Sequence, residues 1–365
     1  MISYGYSSCV SCHVSPQGRG LLNSYGRGID IAQSYSKKDF TAMLLGRASG
    51  EDGSENWDGR FGPVLADLVA TMRLNRRVDV DKTDPTITAL YRQVVFLGNE
   101  DQFRINAEVG LLDGGLHDVS LGAHLTAVGG DNVFLKKLLV EWRIASNESS
   151  GKELAIGRDY LPLGLQIDDP TTYILHLNRS GIYNFPLQVK YFVWNQRSLA
   201  SAFIFAPSFE ELSARREYGG GFLYEHYPVE KLAVGIQGLT GWADESDRLR
   251  IGPYLRWGIS EKWALLAEVN YSTFWDVGAT ETQGSQVTSI VQLFYHHFEW
   301  LVSNATANYA YSDLLTAKDH LSSFRYTLSA RLNRNVSLGL TYTAGDILRN
   351  LGHGQEFGIF TTIKF

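Results

Sequence analysis

The sequence predicts an all-β fold: a closed transmembrane antiparallel β-barrel of about 16 strands, with a small N-terminal module of helix and loop set into it. Three observations carry this. From about residue 60 to the end, apolar and polar residues alternate with a period of two, as in strands with lipid on one side and water on the other. The composition is rich in aromatics and glycine, with 19 Tyr, 18 Phe, 8 Trp and 36 Gly, against only 3 Met and 2 Cys. Tight turns alternate with long polar loops, and the chain ends on an alternating run into Phe365. A soluble β-sandwich alternates too, with its apolar face inward. The aromatic tips of the apolar segments and the alternation of turn lengths favour the membrane version.

The elements follow in chain order. In the first strand region Ala66, Leu68, Ala70, Met72 and Leu74 share one face, while Asp67, Arg73 and Asn75 take the other. Met72 is therefore expected to face lipid and is a poor metal ligand. Phe103, Ile105, Ala107, Val109 and Leu111 then alternate with Arg104, Asn106, Glu108 and Gly110. His124, beside Ser120 and Thr126, is assigned to the lumen. Residues 157–197 break the rhythm and read as loop, either a plain extracellular one, the first expectation, or one folded into the lumen. Alternation resumes with Leu249, Ile251, Pro253, Leu255 and Trp257 outside and Arg248, Arg250, Gly252, Tyr254 and Arg256 inside. Trp263 to Tyr271 and Phe324 to Leu332 repeat the pattern, with Arg325 and Arg331 inside. Ser260-Glu261 and Asn333-Arg334-Asn335 are the tight turns between such strands. Phe357, Ile359, Thr361, Ile363 and Phe365 close the chain in the manner of a last barrel strand. About 300 residues at roughly 18–20 per strand and connection give about 16 strands, and single-chain bacterial barrels are even-numbered.

Other classes are excluded by charge and length. The net charge of −6, from 33 Lys+Arg and 39 Asp+Glu, cannot blanket nucleic-acid phosphates. With 44% apolar residues the chain is not disordered. No apolar run approaches a membrane helix, so a closed barrel is the only way to span lipid. The expected location is the bacterial outer membrane. Cys9 comes too early for a secretory signal to precede it, so the first residue is expected to be a mature, truncated or downstream start.

Both cysteines lie in Cys9-Val10-Ser11-Cys12-His13. Cys-x-x-Cys-His reads as c-type haem attachment: two thiols three positions apart add to the two vinyl groups of one porphyrin, and the next histidine is held under the iron. A thioredoxin-like pair would follow a strand and open a helix, which residues 1–30 do not suggest. Residues 1–50 then read as a miniature cytochrome and 51–365 as the barrel. Ser15 to Gly20 is a flexible turn that lets backbone approach a flat ring. Arg19 and Arg27 are candidate partners for haem propionates, or else solvated surface charges. Ser36 to Asp39 starts a short helix running to Leu45. On it Met43 is the first candidate for sixth iron ligand, with His124 and His176 as alternatives and core packing as the plain role of Met43. The module is too short to bury much core alone and needs the barrel as a wall.

The order of Cys9, Cys12 and His13, then Leu21 and Tyr25-Gly26-Arg27, then a barrel ending in Phe365, resembles the fused monohaem cytochrome–porin family of outer-membrane proteins, which includes outer-membrane iron oxidases. The run Ile2 to Ser8 differs from the Ala-, Pro-, Phe- and Arg-rich run of the iron oxidases, so the donor stays open. The resemblance implies one covalent haem c held in the mouth or lumen of the barrel. Electrons would pass from an extracellular donor, ferrous iron among the candidates, to a periplasmic carrier. With iron as donor the protein would be an oxidoreductase of the iron:cytochrome type; otherwise it is an electron-transfer protein. The alternative is a porin or substrate channel whose haem module is a gate, sensor or structural plug. Lumenal Arg248, Arg250, Arg256, Arg325 and Arg331 would suit an anion pathway there.

Overall fold

The computed structural model describes residues 60–61, 64–78, 82–97, 102–113, 134–146, 150–165, 186–207, 217–243, 246–276, 282–313, 320–333, 335–347 and 352–364. The strands are β1 (Arg60–Phe61), β2 (Val64–Arg77), β3 (Lys82–Leu97), β4 (Phe103–Asp113), β5 (Phe134–Ser146), β6 (Gly151–Arg158), β7 (Leu187–Asn195), β8 (Ser198–Ala206), β9 (Glu217–Val229), β10 (Leu232–Ala243), β11 (Ser246–Gly258), β12 (Trp263–Asp276), β13 (Thr282–Phe298), β14 (Leu301–Ser312), β15 (His320–Arg331), β16 (Val336–Ile347) and β17 (Gly352–Lys364). Each of β2 to β17 pairs antiparallel with its neighbour in sequence, and β17 pairs back onto β2, with Phe360 opposite Arg73 and Thr361 opposite Met72. The sixteen strands β2–β17 form a closed barrel, and the two-residue β1 hairpins onto the start of β2. Closure removes the unpaired edges that lipid would not tolerate.

Alternation decides which face meets lipid. On β11 and β12, Leu249, Ile251, Trp257, Trp263, Val269 and Tyr271 are each 40% exposed or more, while Arg248, Arg250, Tyr254, Glu268, Asn270 and Ser272 are buried. The charged side is therefore the inside. Met72, 52% exposed on the outer face, sits where its parity predicts. Aromatics collect at both rims of the apolar band. At one end Phe103 stacks on Trp142 at 5.8 Å, Trp263 meets Tyr295 at 4.5 Å, and Phe298 stacks on Trp300 at 5.5 Å. At the other, outward-facing Tyr218 lies opposite Trp242.

The two ends differ in their connections. One end joins strands through residues 98–102, 147–150, 196–197, 230–231, 259–262, 299–300 and 332–335. The other has 78–81, 114–133, 159–186, 207–216, 244–245, 277–281, 313–319 and 348–351. Outer-membrane barrels keep short turns on the periplasmic side, which orients the molecule. The start of β2 and the end of β17 lie at that periplasmic end. Several short turns use one device, a side-chain oxygen that caps the amides after it. Asn195 Oδ1 accepts from the Arg197 and Ser198 amides at 2.7 and 2.9 Å. Asn333 Oδ1 does the same for Asn335 and Val336, and Ser260 Oγ for Lys262 and Trp263.

Residues 157–197 correct the expected reading. β7 lies inside this stretch, and the segment from Asp159 to Leu165 runs along the lumen instead of out into solvent. The strand escaped the period-two test because its inner face carries Phe192 and Trp194 beside Gln188 and Lys190, so both faces look apolar toward its end. The 1–50 module, including the helix expected at 36–45, lies outside the described residues.

Candidate functional site

The lumen of the barrel is the candidate site, and its wall can be built strand by strand. On β4 to β7 the inward positions carry Arg104, Asn106, Lys137, Glu141, Glu153, Gln188 and Lys190, all buried. The Arg104 guanidinium donates to Glu141 through Nε and to Glu153 through Nη2, the latter at 2.5 Å. Asp159, just past β6, is paired with Lys190 and lies 3.6 Å from Lys137. Two carboxylates clamped on one guanidinium, with two ammoniums on a third, make a compact network with little net charge.

A second network crosses β9 to β12. Arg248 on β11 reaches over β10 to Glu217 on β9, with Nε and Nη2 at 2.5 and 2.6 Å from the two carboxylate oxygens. Gly241 is the β10 residue beneath this bridge, and a Cβ there would collide with the Glu217 carboxylate. Arg256 makes a like bridge to Glu225. Glu268 on β12 gathers Gln237 Nε2 at 2.7 Å, Asn270 Nδ2 at 2.8 Å, Arg250 Nη2 at 3.3 Å and the Leu165 amide at 2.8 Å. This last bond anchors the inward segment to β12. The segment thus leaves β6 beside Lys190, lays Leu161 and Leu163 against Phe203, Phe205 and Leu239, and ends at Glu268.

Below the segment, toward the periplasmic mouth, the inner wall turns apolar. Phe192, Trp194, Leu199, Leu223, Tyr227, Ala233, Tyr254 and Ala264 form one buried cluster, with Leu165 and Phe294 packed against it. The Trp194 ring lies over Gly151, where any Cβ would meet it. Across the lumen, β13 to β16 present mostly short uncharged groups, with Arg325 among them. Thr288 and Ser312 are 0% exposed, and Gln292, Thr306, Asn308 and Thr343 are buried.

The predicted residues fare as follows. Cys9, Cys12, His13, Arg19, Arg27 and Met43 lie outside the described residues, as do His124 and His176. Arg248, Arg250 and Arg256 face the lumen as expected, but each meets a glutamate. Arg325 also faces inward and donates to Thr343 Oγ1 at 3.1 Å. The expected row of lumenal cations is therefore largely a set of ion pairs. Glu217, Glu225 and Glu268 were the missed half; they sit on inward parity positions, but only strand register shows whom they meet.

No protein-family model matches the chain, and the search of curated proteins finds no match. Solved structures do match. OmpTdeltaL8, a loop-deletion mutant of the Vibrio cholerae outer-membrane protein OmpT, has a TM-score of 0.59 at 13% identity over 83% of this chain and 100% of its own. The fold is that of a porin. The anion-selective porin from Comamonas acidovorans aligns with a TM-score of 0.53 at 12% identity, over 83% of this chain and 99% of that one. Salmonella typhi OmpF, in complex with daunomycin, aligns with a TM-score of 0.59 at 10% identity, over 83% and 97%. At such identities the likeness speaks for the fold alone. A sixteen-strand porin-type barrel with a lipid-facing apolar band is an outer-membrane structure.

Proposed function

We propose that this porin-type barrel is closed by its own N-terminal module, residues 1–50, and carries electrons rather than solutes. The module holds one haem c through Cys9 and Cys12, with His13 on the iron and Arg19 and Arg27 beside the propionates. When bound, haem c supplies a one-electron redox centre whose potential depends on axial ligand and burial. The chain's part is to hold that centre where an extracellular donor and a periplasmic carrier can both approach. With ferrous iron as donor the activity would be that of an oxidoreductase.

The observation that supports this most is the burial of the inner wall. Sixteen strands enclose a space wide enough for water. Small polar residues lining such a space would be wet, yet Thr288 and Ser312 are 0% exposed. An occupied lumen accounts for this, and 59 residues precede β1. They join the barrel at its periplasmic mouth, where the wall is aromatic and apolar. A flat apolar ring fits such a wall better than it fits the polar, ion-paired level above.

The test combines a haem stain with two functional readings on the full chain. Expected results are a haem-positive band that survives denaturation, near-zero conductance in planar bilayers, and a c-type α-band that sharpens when ferrous iron is added outside intact cells. Absence of covalent haem would sink the reading. A haem-positive protein that ferrous iron leaves oxidised, but dithionite reduces, would keep the haem and replace the donor.

A second reading is favoured by the likeness to porins: a channel in which the module is a gate or structural plug. It differs in one number. A channel of this kind shows ion conductance in the haem-loaded state, whereas the electron conduit does not.

A further inference from the structure

We infer that the inner wall carries a binding site for a small oxyanion, a phosphate or carboxylate group, built from Arg250, Ser272 and Gln286. The inference draws only on the wall of the barrel and stands whether or not the barrel holds haem. Strand register puts the three side chains in one row. Arg250 on β11 lies directly opposite Ser272 on β12, and Ser272 directly opposite Gln286 on β13. Residues paired in this way share a face, with Cβ atoms about 4.5–5.5 Å apart. The face is the inner one: the three are 2%, 1% and 4% exposed, while Leu249, Ile251 and Tyr271 beside them point outward. Each lies four positions inside the extracellular end of its strand, at Ser246, Asp276 and Thr282. That is roughly 13 Å along the strand.

The row is short of internal partners. Glu268 already holds Gln237, Asn270 and the Leu165 amide at 2.7–2.8 Å, and Arg250 reaches it only through Nη2, at 3.3 Å. Among the described residues, Arg250 Nε and Nη1 have no acceptor, Ser272 Oγ has no partner, and Gln286 Oε1 has no donor. Arg248, by contrast, places both Nε and Nη2 on the Glu217 carboxylate. A buried donor left unmet is costly, and a charged one more so. Here the unmet groups stand opposite one another on three consecutive strands. A guanidinium, a hydroxyl and an amide that can turn its Nε2 inward form a donor set for an oxyanion. The guanidinium repels a cation, and a neutral sugar would leave its charge unanswered. The setting agrees. Beyond Gln286, the inward neighbours Thr288 and Ser312 are uncharged, and Asn270 stands between Ser272 and Glu268. On the other flank Leu239, opposite Arg250, belongs to the apolar cluster of Leu161 and Leu163, a dry surrounding that strengthens a charge-assisted hydrogen bond.

The experiment follows thermal unfolding of the full-length protein in detergent micelles, read by heat-modifiable gel migration. Sodium phosphate or sodium acetate replaces sodium chloride step by step at fixed pH and ionic strength. The midpoint should rise and saturate with at least one of the two oxyanions, as mass action requires for a ligand of the folded state. A rise with phosphate alone assigns the site to a phosphate group, and a rise with acetate alone to a carboxylate. Arg250→Lys keeps the charge and its reach toward Glu268 but removes the planar set of donors, and Ser272→Ala removes the hydroxyl. Each should weaken the apparent affinity by about tenfold or more, the value of a charge-assisted hydrogen bond. If Arg250→Lys fails to fold, Ser272→Ala decides alone. A parent midpoint that neither oxyanion moves from its value in chloride would overturn the site and leave water as the partner of these groups. A rise that persists with unchanged affinity in the folded variants would place the anion elsewhere and overturn it equally. Neither result bears on covalent haem, which the haem stain tests separately.

Discussion

The inner wall from β4 to β12 and the inner wall from β13 to β16 are both buried, but by different means. The first arc fills its own space. Arg104, Lys190, Arg248 and Arg256 reach across neighbouring strands to carboxylates, and the Asp159–Leu165 segment lies over the wall. The second arc carries mostly threonine, serine, asparagine and glutamine, with Arg325 among them, joined by shorter-range hydrogen bonds, and is no less dry. Long charged side chains can be satisfied by the barrel itself. Short neutral ones need something laid against them.

The largest expected effect tests the self-filled arc. Arg104→Ala removes the guanidinium from between Glu141 and Glu153, each 1% exposed, leaving Glu153 only Arg143 at 3.7 Å and Glu141 only the Asn106 amide at 3.4 Å. Breaking a buried pair by removing one partner costs about 3–5 kcal/mol. Urea unfolding of the barrel in liposomes should show that loss. The matching change on the other arc, Thr306→Ala, removes the hydrogen bonds with Gln292 and Asn304 and should cost about 1–2 kcal/mol. Equal losses would erase the distinction between the arcs.

Next in size is Thr288→Lys. If something lies against β13 to β16, the ammonium is buried without a partner and stability falls by about 3 kcal/mol. In a water-filled lumen the same lysine would be solvated, and the unfolding midpoint would barely move. Gly241→Val, smaller again, forces a branched Cβ into the Arg248–Glu217 bridge and should cost about 1–3 kcal/mol as overpacking. Full stability in that variant would show that the bridge can swing clear of β10.

Much of this barrel was legible from alternation. Inside and outside positions on β4, β11, β12, β15 and β17 follow directly from it, as does the exclusion of Met72. Ion-pair partners were not legible, because they depend on register between strands that are not adjacent. Arg248 and Glu217 are 31 positions apart, as are Arg256 and Glu225. β7 was lost for the opposite reason: Phe192 and Trp194 put apolar groups on its wet face, and alternation cannot report a strand that is apolar on both sides. That failure is informative, since an apolar inner face is also what a hydrophobic prosthetic group would need.

The smallest effect belongs to the extracellular rim, where β13 and β14 meet solvent. Asp313, past the end of β14, is exposed, and its carboxylate accepts from the Tyr311 hydroxyl and from Ser285, through Oγ at 2.8 Å and the amide at 3.3 Å. These bonds, that of Tyr311 first, hold its pKa below the ordinary carboxylate value. A lowered folded-state pKa means that the linked stabilisation is present above the unfolded value and is lost as pH falls through the folded one. Protection of the Ser285 amide against hydrogen exchange should therefore exceed that of Asp313→Asn at neutral pH. The difference should shrink on acidification through and below the carboxylate range. Lumenal pairs such as Arg104–Glu141 should keep their protection over the same interval, because water does not reach them. A Ser285 amide indifferent to both the substitution and the pH would mean that the rim is held by the strand pairing alone, and that the side chains at the solvent end of this arc contribute as little as those facing the lumen.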